Sequence, residues 1–424
     1  MEAEMEERRV RKPNRQQMVL RPENLDGLID ASHPARAIWR VLEGMELTRF
    51  YEPIKARVGS AGRDATDPRV LLALWLYGLS EGVNSARELE RLSEAHAAYR
   101  WICGGVSVNY HTLSDFRSQS GPALDQLMSE ILAVLMRKKL LKLYRVAQDG
   151  TRVRASAGGA SFHRKPTLER CLKEARAHLE RLAREDEGGP TAASARVQAA
   201  QERAARERET RFTQALEELE RLQVTKGQAK NHPQRKGEVR TSSTDPEARV
   251  MKLGDGGFAP AYNLQLATDT ESRLIVGVRA TNSGADSQQL EPMQQEIERR
   301  TRVLPKQHLA DGGYMNFDSV ERSAARGIQV FSPPRNNRTY HINPLTPQPG
   351  DSPALADYRR RMSSEEGKEI YQQRAATAET VNADLKTWRG LDRLLVRGLT
   401  KVVTVTLWSA ITYNLLRAIN MHWL

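Results

Sequence analysis

Between Tyr371 and Lys386 the chain reads YQQRAATAETVNADLK, which sets Tyr371, Arg374, Glu379 and Lys386 in the pattern Tyr-x2-Arg-x4-Glu-x6-Lys. On an unbroken helix, at about 100° per residue, Glu379 and Lys386 fall roughly 20° apart around the axis and about 10 Å apart along it, with Arg374 and Tyr371 on the flank of the same face. That face would carry a carboxylate able to hold a metal and two cations able to reach neighbouring phosphates. Taken alone, Glu379 is an ordinary charge on a solvated helix, so its reading depends on two other carboxylates. Asp149 closes the apolar run LYRVAQD and Asp311 closes HLAD. Each is followed by glycine, and each dipeptide taken singly is a turn signal. Two aspartates at the ends of strand-like runs and a glutamate on a helix can meet in one fold. Hard oxygen donors of this kind suit Mg²⁺ or Mn²⁺ rather than zinc, and a pair of such ions stabilises both the attacking and the leaving oxygen of an in-line attack on phosphorus.

With these residues in this order, the chain resembles the RNase H-like DDE transposases of bacterial insertion sequences, in particular the group with a Tyr-x2-Arg…Glu-x6-Lys signature. The likeness extends to SSTDPEARVMKLGDGGFAPAYNLQLATDTESRLIVG (Ser242 to Gly277), similar to that group's second and third strands, and to DPRVLLALWLYGLSEGVNSARELERL and YHTLSDFR nearer the N-terminus. Together these stretches cover most of positions 65 to 420. The resemblance implies that Asp149 bridges two metal ions while Asp311 and Glu379 each complete one site, that Arg374 and Lys386 hold phosphates, and that Tyr371 packs against or contacts the strand. It also implies that the N-terminal region recognises the element's terminal repeats. The reaction expected is hydrolysis at the element's end, then attack of the freed 3′-hydroxyl on target DNA without nucleotide energy. Two ends must be held in one complex, so a homodimer on double-stranded DNA is expected. One departure is Asn109-Tyr110-His111, where the resemblance suggests a turn containing proline. A structure-specific nuclease on the same scaffold and a non-catalytic DNA-binding descendant are the alternative readings, and the intact carboxylate set weighs against the second.

Bulk properties agree with a DNA-handling enzyme. The 424 residues suffice for two or three domains, and a formal net charge of +12 predicts a phosphate-rich partner. Ribosomal and membrane-surface proteins share that balance. Cys103 and Cys171 are the only cysteines, which predicts a reducing cytoplasm and no zinc module; association with the bacterial nucleoid is expected from the resemblance. The start, MEAEMEERRVRK, lacks the apolar centre of a signal peptide. Val402 to Leu416 is uncharged but too short for a membrane span, so it is expected to be a core element. No phosphate-binding glycine loop of the G-x-x-x-x-G-K-[ST] type occurs, which argues against an ATP-driven motor. Gly254-x-Gly256-x-x-Ala259 reads as a loop, and His163 and His308 as polar residues without a catalytic part.

The organisation expected is an α/β fold, an RNase H-like mixed sheet with flanking helices, joined to an all-α region and an inserted helical hairpin. Residues 1–140 form the helical region, in which Asp67-Pro68 caps one helix, Ser85-x-x-Glu88 is a capping box opening a second, and a third begins at Thr112 with Arg117 just inside it. These helices suit either a helix-turn-helix, with Arg117 reading DNA, or a plain bundle. Residues 141–164 and 241–424 form the catalytic domain, with strands at LYRVAQD, FAPAYNLQLATD, LIVGVRA, HLAD and IQVF. Residues 165–240 form the insertion: Leu168, Leu172, Ala175, Leu179 and Leu182 recur at helical spacing, Gly188-Gly189-Pro190 turns the chain, and Phe212, Leu216, Leu219 and Leu222 repeat the pattern. Its flank KGQAKNHPQRKGEVR and the loop from Pro333 to Pro353 are basic segments that either grip DNA or are solvated.

Overall fold

The structure, a computed structural model, describes residues 23–57, 63–185, 192–228, 239–334 and 343–422, together with 16, 59 and 61. The Gly188-Gly189-Pro190 turn, most of the basic flank and the centre of the Pro333 to Pro353 loop lie outside the described residues.

The N-terminal region is helical: α1 (Pro34–Glu43), α2 (Thr48–Tyr51), α3 (Pro68–Ser80), α4 (Ala86–Ala95), α5 (Ala97–Cys103), α6 (Tyr110–Gln119) and α7 (Gly121–Arg137). The Asp67 carboxylate accepts from Arg69 N–H and Pro68 takes the first position, so α3 starts where expected. Gly82, at φ +76°, ends that run. Ser85 sits at the start of α4 but its hydroxyl makes no cap bond, and Glu88 pairs instead with Arg91. Helix α6 begins two residues before Thr112, because the Asn109 side chain accepts from Thr112 N–H at 2.9 Å. The residue that departs from the expected proline turn is itself the cap.

Strand β1 (Arg145–Arg154) follows, then β2 (Phe162–His163), the helical pair α8 (Lys165–Glu185) and α9 (Ala192–Gln228), and β3 (Thr241–Ser242). Helices α8 and α9 pack through Leu168, Ala215 and Leu219 and are linked by Arg176 and Glu209 at 2.9 Å. The chain continues as β4 (Arg249–Lys252), β5 (Phe258–Asp269), β6 (Ile275–Thr281), α10 (Leu290–Thr301), β7 (Gln307–Leu309), α11 (Phe317–Ala325) and β8 (Gln329–Phe331), and closes with α12 (Pro353–Ser363), α13 (Glu365–Arg374), a π-helical turn Ala375–Glu379, α14 (Thr380–Trp388) and α15 (Leu399–Asn420). The main sheet has the order β4-β5-β1-β7-β8, with β6 also on β5. Strands β4, β6 and β1 run antiparallel to β5, whereas β1, β7 and β8 are parallel. This is the RNase H-like mixed sheet.

One hydrophobic core runs from α1 through α3 and α7 to the sheet and α15. Helix α15 is apolar and long enough to cross a membrane by length and composition, yet it is mostly buried within the protein. Asn414, polar in this apolar helix, accepts from Ile275 N–H and donates to Ile275 C=O, both at 2.8 Å, and so docks α15 on β6. Trp75 and Trp408 meet at 6.3 Å and donate to the carbonyls of Leu113 and Arg117.

Arg117 belongs to this core. It is 5% exposed, its guanidinium lies 4.6 Å from the Trp75 ring centre and donates to the Asn84 carbonyl, and burial pulls its pKa down to about 10. The expectation that Arg117 reads base edges is therefore corrected: the side chain is turned into the bundle, where no DNA can reach it.

A buried imidazole gives the sheet a pH dependence. His308 in β7 is fully buried, its Nε2 lies 3.0 Å from Gln148 Oε1, and burial pushes its pKa down to about 3. The unfolded imidazole takes a proton near about 6.5. Stability is thus complete above that pH and declines as pH falls towards the folded value. Wild type should lose roughly 2 kcal/mol relative to His308→Gln between pH 6.5 and 4.5, measured by urea unfolding at each pH. A constant difference between the two proteins would contradict a buried neutral imidazole.

Candidate active site

The parallel pairing of β1 and β7 sets Ala147 opposite Leu309. Two residues farther along each chain come Asp149 and, just past the end of β7, Asp311. Because side chains alternate along a strand, both project from one face of the sheet. Asp149 Oδ1 accepts from Gly150 N–H at 2.9 Å and Oδ2 from Asn382 Nδ2 of α14 at 3.1 Å. Asp311 Oδ1 accepts from Gly313 N–H at 2.7 Å, and its carbonyl accepts from Ser332 Oγ and Tyr314 N–H. The Asp149 side chain is 19% exposed. Burial pushes its carboxyl above the ordinary range, the Arg374 charge pulls against that, and Asp311 adds to the push.

Arg374 is the cation of this site. Its Nη1 lies 3.7 Å from Asp149 Oδ1 and its Nη2 donates to Glu379 Oε1 at 3.1 Å. Burial works against its charge but is outweighed by Asp149, Tyr371 and Asp311, and the guanidinium is held above its ordinary value. Tyr371, hydrogen-bonded to Arg374, has its phenol pushed up by burial. Lys386 on α14 is half-buried, and burial pulls its ammonium down against the attraction of Asp149. Tyr371 and Arg374 therefore stand within electrostatic reach of both aspartates, and Lys386 within reach of Asp149.

Glu379 does not join them. The expected unbroken helix is interrupted by the π turn at Ala375–Glu379. On an α-helix, residues five apart are about 140° from one another, whereas the i→i+5 spacing of a π turn brings Arg374 and Glu379 to one side. The Glu379 side chain is 60% exposed. Among the described residues no group of three or more His, Cys, Asp or Glu side chains is close enough to hold a metal ion. The single cluster of three carboxylates expected from the sequence is thus not formed: Asp149 and Asp311 come together, and Glu379 stands across Arg374 from Asp149. The 20° relation of Glu379 to Lys386 survives, since Glu379 is the α-region residue that leads into α14. As donors, Asp149 and Asp311 fit a hard divalent cation: both are carboxylates, neighbouring and partly buried. Glu379 would complete the set only after parting from Arg374.

Sequence reasoning missed the residues beneath Asp149. Asp149-Gly150 is not a turn but lies inside β1, where Gly150 faces Gln265 and Arg152 faces Asn263 of β5. Gln148, Asn263 and Gln265 are fully buried and hydrogen-bonded to one another, to Asp286 and to Tyr314. The available signal was the polar pair Asn263 and Gln265 at alternate positions of an otherwise apolar strand. Asn382, four residues before Lys386 on the same helix, was likewise legible from spacing.

A sheet of this order, with an aspartate on each of its central parallel segments and a helix bearing cations laid beside them, defines an RNase H-like domain. Two family models match the chain: the transposase DDE domain over residues 238–415, and a transposase domain (DUF772) over residues 23–119. Between them they span well over half of it, and the chain belongs to the DDE-type transposases. Asp311 and Glu379 fall inside the first match, whereas Asp149 lies outside both. No curated protein and no solved structure matches the chain.

Gly150 leaves no room for a side chain. A Cβ there would collide with Gln265 Nε2 and stand 2.8 Å from Asp286 Oδ1 and 2.9 Å from Asn263 Oδ1, whereas one at Gly254 would meet nothing within 4 Å. Gly150→Ala should cost about 1–3 kcal/mol in chemical denaturation, and Gly254→Ala close to nothing. Equal effects would contradict this packing.

Proposed function

We propose that this transposase cuts DNA at the ends of its element and joins the freed 3′-hydroxyls to target DNA by transesterification, with Asp149, Asp311 and Glu379 as its catalytic carboxylates. The observation that carries the reading is the pairing of Asp149, within β1, with Asp311, just past the end of the adjacent parallel strand β7, the two sharing the Arg374 charge. These residues would hold Mg²⁺ or Mn²⁺, two ions per site, and the chemistry such ions supply is activation of an oxygen nucleophile and stabilisation of the leaving oxygen. Arg374 and Lys386 hold the phosphates on either side of the scissile bond, and Tyr371 fixes Arg374 and packs against the strand. Glu379 completes the site once DNA phosphate draws Arg374 away from it. The N-terminal helices contact the terminal repeats through surface side chains other than Arg117. The protein acts in the cytoplasm as a homodimer on two DNA ends.

An assay with candidate end duplexes, target plasmid and Mg²⁺ tests the reading. Wild type should yield joined strand-transfer products, and cut ends without joining would identify a nuclease instead. Asp149→Asn, Asp311→Asn and Glu379→Gln should each abolish cleavage, with DNA affinity within about threefold of wild type, since each removes a charged donor at constant size. Full activity in any one variant would remove that residue from the site. Lys386→Ala and Arg374→Ala should weaken binding to end and random duplexes alike and lower the slope of log K against log salt by roughly one for each lost contact. An unchanged slope would remove the phosphate role.

A further inference from the structure

We infer that Gln265, Asp286 and Tyr314 are positioning residues that set the Asp149 and Asp311 carboxylates in register with each other; this rests on the proposed reading of those aspartates as the catalytic pair. The network has one direction throughout. Gln148 Nε2 donates to Gln265 Oε1 at 2.9 Å and to the Gln289 carbonyl at 3.1 Å, so both its amide hydrogens are used and its Oε1 is left to accept from His308 Nε2 at 3.0 Å. Gln265 Oε1 takes a second hydrogen bond from the Tyr314 hydroxyl at 2.5 Å. Gln265 Nε2 donates to Asn263 Oδ1 at 3.1 Å and to Asp286 Oδ1 at 2.8 Å, and Asn263 Nδ2 donates to Asp286 Oδ1 at 2.7 Å. Asp286 Oδ2 is met by Arg152 Nη2 at 3.2 Å. Each amide hydrogen of Gln148 and Gln265 has an acceptor, and the run ends on a carboxylate that can only accept.

The members flank both aspartates. Gln148 precedes Asp149 in β1, and Gly150, which follows it, is opposite Gln265. His308 stands three residues before Asp311, and Tyr314 three after it, at the end of the turn closed by Tyr314 N–H on the Asp311 carbonyl. Gln265 is therefore bonded to a residue beside Asp149 and to the turn that carries Asp311. Burial, with Asp286, Asp149 and Asp311 nearby, pushes the Tyr314 phenol well above its ordinary value, so it stays protonated and donates. Apolar side chains would fill this face without burying so many polar atoms. What the network adds is a single geometry, because slippage of the Asp311 turn against β1 would cost the Tyr314 hydroxyl its acceptor and leave Gln265 Oε1 with Gln148 alone.

The test uses the full-length protein and Mn²⁺ as the probe, followed by electron paramagnetic resonance without DNA and by end cleavage with it. Tyr314→Phe removes one hydroxyl at constant shape, and Asp286→Asn removes the terminal charge at constant size. Each should weaken the Mn²⁺ midpoint by about tenfold or more, as loss of groups that orient metal ligands does. The cleavage rate at saturating DNA should fall by a similar factor, while the KM for DNA stays within about threefold and the thermal midpoint within a few degrees. Wild-type Mn²⁺ binding and rate in Tyr314→Phe would overturn the inference. So would failure of both variants to fold, since the network would then support the sheet as a whole. Asp149→Asn serves as the control on the underlying reading: if it binds Mn²⁺ as wild type does, the catalytic assignment fails and the inference with it; once it loses binding, the Tyr314 and Asp286 variants alone decide.

Discussion

Two carboxylates drawn partly out of water on adjacent parallel strands, one within β1 and one just past the end of β7, need a compensating cation to stand side by side. Both desolvation and like-charge repulsion disfavour the charged form of Asp149, and Arg374 is what opposes them. The parallel register of β1 on β7 creates the problem by bringing Asp149 beside Asp311, and the helical segment from Tyr371 to Lys386 answers it by laying its cations over that end of the sheet. The position of that helix in turn depends on the core beneath, where Val381 and Leu385 are packed into the same cluster as β5, α3 and α15. An electrostatic need at the surface and apolar packing below thus fix the same element.

The shared core also bears on recognition. Helices α3, α6 and α7 close on α15, Trp75 against Trp408, and Asn414 binds α15 to β6. Among the described residues the helical region and the sheet share one apolar cluster, so any surface of the former is carried on the same packed frame as the aspartates. Arg299 and Arg300 of α10 reinforce that frame through Asp125 of α7 at 2.8 and 2.5 Å. Arg300 is almost wholly buried there and keeps Glu296 as a second partner, as a buried charge requires.

Much of this was legible because the deciding signals were local and repeated. The strand FAPAYNLQLATD runs from Phe258 to Asp269 as read, and the Asp67-Pro68 cap falls where chain stereochemistry puts it. The helical hairpin followed from its leucine spacing. What the sequence did not disclose has a physical reason in each case. Arg117 has the composition of a DNA contact, but only tertiary packing shows that it stacks on Trp75. Asp149-Gly150 has the chemistry of a turn, and the glycine is needed for a different reason, the close approach of Gln265 and Asp286 from the next strand. A π turn within an otherwise good helical stretch leaves no periodicity to read, since it adds a single residue to one turn.

That single residue decides how the third carboxylate is disposed. With the π turn in place, Glu379 faces Arg374 rather than the aspartates, and its side chain is more than half exposed. An ion pair so open to solvent contributes only about 0–1 kcal/mol, so it is the backbone of the turn, more than the pair itself, that holds Glu379 apart. Arg374 is different in kind: it is buried to 13% exposure between charges, and removing its countercharge role would leave Asp149 uncompensated. Any charge that takes over from Arg374 at Asp149, or draws it towards a phosphate, frees Glu379 from a partner that held it weakly, and the cost of rearrangement then lies in the π turn. As folded, the chain brings the two aspartates together and, by that one turn, holds Glu379 apart.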